Sequence, residues 1–87
     1  MDQVSAILSE RGKSHGNFDD NARLAQDLKQ TVRTEAGYVN LSLVQREALD
    51  MILHKISRII AGNPNFQDHW DDIAGYAKLV SDRCAQA

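Results

Sequence analysis

The apolar residues fall into four groups at helical spacing, separated by polar turn residues. In residues 2–11, Val4, Ile7 and Leu8 stand at i, i+3 and i+4 and give a short helix one apolar stripe. Asp2 can cap its start, and Gly12 is placed to end it. Lys13 to Asp19 reads as a polar loop with turn residues His15-Gly16-Asn17, anchored to the core by Phe18. Residues 19–35 predict a second helix with a thin stripe of Ala22, Leu24, Ala25, Leu28 and Val32. Gly37 and Asn40 break the chain after it.

The strongest pattern lies in residues 42–80. Ser42 opens a third helix, with Gln45 as its capping-box partner. Ala48, Leu49, Ile52, Leu53, Ile56, Ile59 and Ile60 cover one broad face, and Glu47, Asp50, His54 and Arg58 run down the other side. Gly62, expected at positive φ, ends this helix over 42–61, and Pro64 blocks its continuation. Asn65 can cap a fourth helix over 66–84, whose core stripe is Phe66, Trp70, Ile73, Ala77, Val80 and Cys84. So short a turn makes the last two helices antiparallel, with Ile56 and Ile73 buried between them. The expected fold is all-α: a short N-terminal helix plus three helices, dominated by the 42–61/66–84 hairpin.

Composition narrows the classes. At 87 residues the chain is expected to be one domain, 1–87. A domain of this size buries a small core, and the apolar arc of the third helix is wide. A second copy, most simply in a dimer, would complete a helix bundle. A net charge of −2 with no basic block excludes a dedicated nucleic-acid binder. No run approaches the length of a membrane span, and the first residues carry Asp2 and Glu10 without an apolar run, so neither membrane span nor signal peptide is expected. The lone Cys84 reads as a buried or half-buried free thiol in a cytoplasmic protein. His15, His54 and His69 lack zinc-ligand spacing.

The acids supply the candidate chemistry. Asp68 and Asp72 are one turn apart and share a side with Tyr76 and Leu79, which places them near a second surface. Asp71 shares its side with Lys78 and Asp82 and faces water. Two carboxylates at i, i+4 suit Mg²⁺, which is held by one or two carboxylates plus substrate phosphates. Glu47 and Asp50 form a second acid pair, and Lys55 and Arg58 could grip phosphate. If Asp72 is an unpaired acid close to others and no metal is present, their repulsion implies that neutralising it raises stability. The same acids also read as solvated helix faces, with Asp68 favoured by the helix dipole and Asp50 paired with His54.

The run from Ala48 to Val80 resembles a family of small phage and prophage proteins of uncharacterised function. The residues that carry the likeness are Lys55, Arg58, Asp68, Trp70 and Asp72-Ile73-Ala74-Gly75-Tyr76, with Gly16-Asn17-Phe18 upstream. That family distantly resembles the MazG-type all-α nucleoside triphosphate pyrophosphatases. These carry acid pairs, ExxE then ExxD, that bind Mg²⁺ and split a nucleotide between its α and β phosphates. Asp50 and Asp68 stand where the pattern has Glu, and the better-facing second pair is spaced by four. The resemblance implies a Mg²⁺–nucleotide site with Asp68, Asp72, Glu47 and Asp50 at the metal and Lys55 and Arg58 at the phosphates. Three functions stay open: Mg²⁺-dependent pyrophosphohydrolysis, a non-catalytic module that sequesters a nucleotide or blocks a host protein, and a structural role.

Overall fold

The computed structural model describes residues 2–86. It contains α1 (Gln3–His15), α2 (Phe18–Arg33), α3 (Leu43–Ala61) and α4 (Gln67–Cys84), with a 3-10 turn at Ala36–Asn40 between α2 and α3. The fold is all-α, and the α3–α4 hairpin is its most extensive packing. The Ser5 N–H donates to the Asp2 carboxylate at 2.7 Å, capping α1. At the start of α3 the Gln45 N–H donates to Ser42 Oγ and the Ser42 N–H donates back to Gln45 Oε1, completing the capping box.

The turns depart from expectation. Helix α1 continues past Gly12 to His15 and ends at Gly16, whose φ is 81°. Asn17 then caps α2, accepting from the Asp19 and Asp20 N–H groups. Gly62 is not left-handed: its φ is −119°. It is needed for close approach instead, because its backbone lies against that of Gly16. The Asn63 N–H donates to the Ser14 carbonyl at 3.0 Å and ties the two helix ends together. Asn65 does not cap α4, which starts after Phe66 without a side-chain cap. The turn is held by the Asn65 N–H on Asn63 Oδ1 and by the Trp70 Nε1–H on the Pro64 carbonyl.

Helix α3 is the spine. Its Asp50 and Ser57 meet Arg33 and Asn21 of α2, whereas its Lys55 meets Asp72 of α4. At 100° per residue Asp50 and Ser57 lie within about 20° of each other, and Lys55 points roughly 140–160° away. So α2 and α4 take opposite sides of α3, forming a layer one helix thick. The C-terminal end of α1 packs on one face of that layer, on the side of His54, Lys55 and Arg58, while its residues up to Lys13 are exposed.

This layer buries little. Among the described residues the buried apolar side chains are Ala25, Ala48 and Ile59, joined by the polar Asn21, Ser57 and His69. Ile56 and Ile73, expected to be buried, are half-buried. Trp70, expected in the core, is 53% exposed, and Phe18, expected to anchor a loop, is 80% exposed. Cys84 is exposed rather than half-buried. The reason is common to these positions: an apolar stripe is buried only where a neighbouring helix lies over it, and most of these have none.

Candidate functional site

Two openings flank the C-terminal half of α1. A polar cleft of about 520 Å³ lies between α1, α3 and α4, with Lys55, Asp68, His69 and Asp72 on its walls. A more apolar groove of about 810 Å³ lies between α1, α2 and α3. Arg11 and His15 line both.

In the cleft, Asp72 Oδ2 is 2.8 Å from Lys55 Nζ, and Lys55 is largely buried. The Lys55 ammonium holds the Asp72 carboxyl below the usual carboxylate range. His69 is 1% exposed; its Nε2 lies 3.4 Å from the Ser14 carbonyl and its Nδ1 has no hydrogen-bond partner among the described residues. His15 packs on His69 at a ring-centroid separation of 4.7 Å, and the Ser14 hydroxyl is 2.7 Å from its Nδ1. Burial pushes His15 down to about 4, with Arg58, His69, Lys55 and Arg11 pushing the same way. Burial likewise lowers His69 and His54.

The groove has a different balance. Its charged side chains are Arg11, Lys29 and Arg58, and no acid lines it among the described residues. Arg58 Nε is buried without a hydrogen-bond partner. Burial, and then the Arg11 guanidinium, push the Arg58 pKa down. Leu8, Phe18, Ala22 and Ala25 supply its apolar lining.

The expected site residues are therefore divided. Lys55, Asp68 and Asp72 share the cleft, while Arg58 faces the groove. Asp71 is exposed and lines neither opening, as its helix angle implied. Asp50 is not paired with His54; it takes Arg33 at 3.1 Å. Glu47 is exposed and lines neither opening. Within one chain the four acids do not gather, and among the described residues no three His, Cys, Asp or Glu side chains stand where they could hold a metal.

The sequence pattern described as Domain of unknown function (DUF6378) matches residues 1–84. The chain belongs to the DUF6378 family. No curated protein and no solved structure matches it. In this DUF6378 chain, the residues that inspection of the sequence missed are Arg11, Lys29, His15 and His69. Arg11 and His15 fall one turn apart near the end of α1, and such a pair is ordinary on an exposed helix. The one signal available was His69, which shares the inward stripe of α4 with Ile73 and Val80. No helix among the described residues is long and apolar enough to cross a membrane.

Proposed function

We propose that this DUF6378 protein is a nucleotide-binding module that holds its ligand in the α1–α2–α3 groove without turning it over. The observation that carries this reading is the Arg11–Arg58 pair, two cations facing one opening with no acid on its walls. Like charges in a half-buried setting repel, and an anion between them removes the repulsion and fills the unpartnered guanidinium position. A volume of about 810 Å³ is in the range of small-molecule sites, and the wall beside Leu8 and Phe18 suits the flat apolar part of a nucleotide. The likeness to MazG-type proteins supports the nucleotide class. The pairing of Asp72 with Lys55 and of Asp50 with Arg33 supports binding over turnover, because acids neutralised by side chains have less charge left for a cation. A protein of this kind, phage-encoded as the resemblance implies, would sequester nucleotide in the host cytoplasm; an unpaired thiol at Cys84 suits a reducing compartment.

One observation favours Mg²⁺-dependent pyrophosphohydrolysis as a second reading. Asp68 and Asp72 share a cleft that adjoins the groove through Arg11 and His15, and two carboxylates with substrate phosphates suffice for Mg²⁺. One experiment separates the two: thermal shift with ATP, GTP, CTP and UTP, with and without Mg²⁺, together with an assay for released pyrophosphate. At 100 times its dissociation constant a nucleotide adds about 2.7 kcal/mol. The expected result is stabilisation without Mg²⁺, lost in Arg58→Gln, kept in Asp71→Asn, and no pyrophosphate released. Stabilisation that needs Mg²⁺, lost in Asp72→Asn and accompanied by pyrophosphate release, would replace it with the enzymatic reading. No shift with any nucleotide overturns both.

A further inference from the structure

The face of the layer opposite α1 carries a cluster of large apolar side chains, and among the described residues no helix lies over it. On α3, Leu49, Leu53, Ile56 and Ile60 point roughly 160–220° away from Arg58, which faces α1. On α2, Leu24 turns about 140° from the groove-lining Lys29, and on α4 Trp70 turns about 160° from the cleft-lining Asp68 and Asp72. None of these six is buried; Ile60 is 66% exposed and Trp70 53%.

The whole-chain measures agree. The accessible surface is 6200 Å², whereas a compact monomer of this mass exposes about 5,100 Å². The difference, about 1,100 Å², is comparable with the roughly 800 Å² that each partner contributes to a stable interface. The radius of gyration is 14.9 Å, against about 12 Å for a compact chain of this length. The face opposite α1 is one part of that surface, with Ile60 and Trp70 as its most exposed apolar side chains.

We propose that a second copy of the chain covers this face, with the two layers packed α3 against α3 about a two-fold axis. A second copy is favoured over a different partner because the centre of the face is apolar and uncharged, and so complementary to itself. The pairing puts the half-buried stripe of α3 into a shared core and leaves α1, the cleft and the groove on the outer surfaces. It is therefore independent of whether the groove binds a nucleotide.

Sedimentation equilibrium of the 87-residue chain tests this. The expected mass at micromolar concentration is twice 9.7 kDa. Trp70, the single tryptophan, reports on the same face, so its emission is expected to shift to the red on dilution through the dissociation range. Ile60→Lys is expected to weaken the dimer by roughly tenfold or more, because it buries an unpaired charge. Val4→Lys, on α1, is expected to leave it unchanged. Should Ile60→Lys not fold, the melting temperature of the unsubstituted chain still decides, since it must rise with protein concentration if folding and pairing are linked. A monomeric mass with a concentration-independent melting temperature overturns the proposal. A dimer insensitive to a folded Ile60→Lys variant, or one broken by Val4→Lys, overturns it as well.

Discussion

The backbones of Gly16 and Gly62 touch where the end of α1 meets the end of α3. A Cβ placed on Gly62 would lie 2.7 Å from the Gly16 nitrogen, and one on Gly16 would lie 2.9 Å from the Gly62 nitrogen. The contact brings Ser14 and His15 against the head of α4 and so sets the walls of both openings.

Gly62→Ala is therefore expected to destabilise the fold although Gly62 has negative φ. Forcing one carbon into a backbone contact costs about 1–3 kcal/mol. Gly16→Ala should cost more, because it adds the strain of a left-handed φ to the same clash. Gly75 is the control: it lies inside α4 with nothing within 4 Å of an added Cβ. Gly75→Ala should stabilise by about 0.5–1 kcal/mol, from helix propensity alone. Melting temperatures of the three variants check this; an unaffected Gly62→Ala would show that the helix ends can part freely.

Asp72 and Asp71 should differ in stability. Lys55 is 11% exposed and has Asp72 as its ion-pair partner. Asp72→Asn removes that partner's charge and is expected to lower the melting temperature, whereas Asp71→Asn should leave it nearly unchanged. This reverses the sequence expectation that Asp72 is an unpaired acid repelled by its neighbours, whose neutralisation would raise stability. Denaturation of the two variants in parallel decides it.

Ser57 is fully buried on α3 and hydrogen-bonds to the side chain of Asn21, itself buried on α2. The Ser57 hydroxyl also lies 2.8 Å from the His54 carbonyl. Ser57→Ala should cost about 1–3 kcal/mol, because it strands the Asn21 amide away from water. Asn21→Ala leaves Ser57 satisfied by His54 and should cost less through this bond. A double-mutant cycle is expected to show coupling between the two positions.

Acid should destabilise the fold through its histidines. His15 is held at about 4 in the folded chain, below the usual value near 6.5, and burial lowers His54 and His69 in the same direction. Between pH about 4 and 6.5 the unfolded chain binds more protons than the folded one. Their contribution is therefore fully present above the unfolded pKa and is lost as pH falls toward 4, by roughly 1–3 kcal/mol for His15. Denaturant midpoints across that range check the slope, and His15→Gln should flatten it.

Local chemistry was legible in the sequence at some helix ends and not at others: the caps at Asp2 and Ser42 form, whereas Asn65 does not cap α4 and α1 runs past Gly12. Spacing at 3.6 residues per turn fixed four helices, and Asp2 and the Ser42–Gln45 box are caps whose partners stand within one turn. The separation of Asp71 from Asp72 followed from helix angle alone. Tertiary structure decided the rest. Helical periodicity says that Leu53 and Trp70 share apolar stripes, but not whether anything lies over them, since that depends on where α1 and α2 sit on α3. It could not pair Lys55 with Asp72 or Asp50 with Arg33, because each acid has several cations within reach of an unfolded chain and only packing selects one. Gly62 shows the same division: composition marks the place where the chain must turn, and the crossing with Gly16, distant in sequence, sets why only hydrogen fits there.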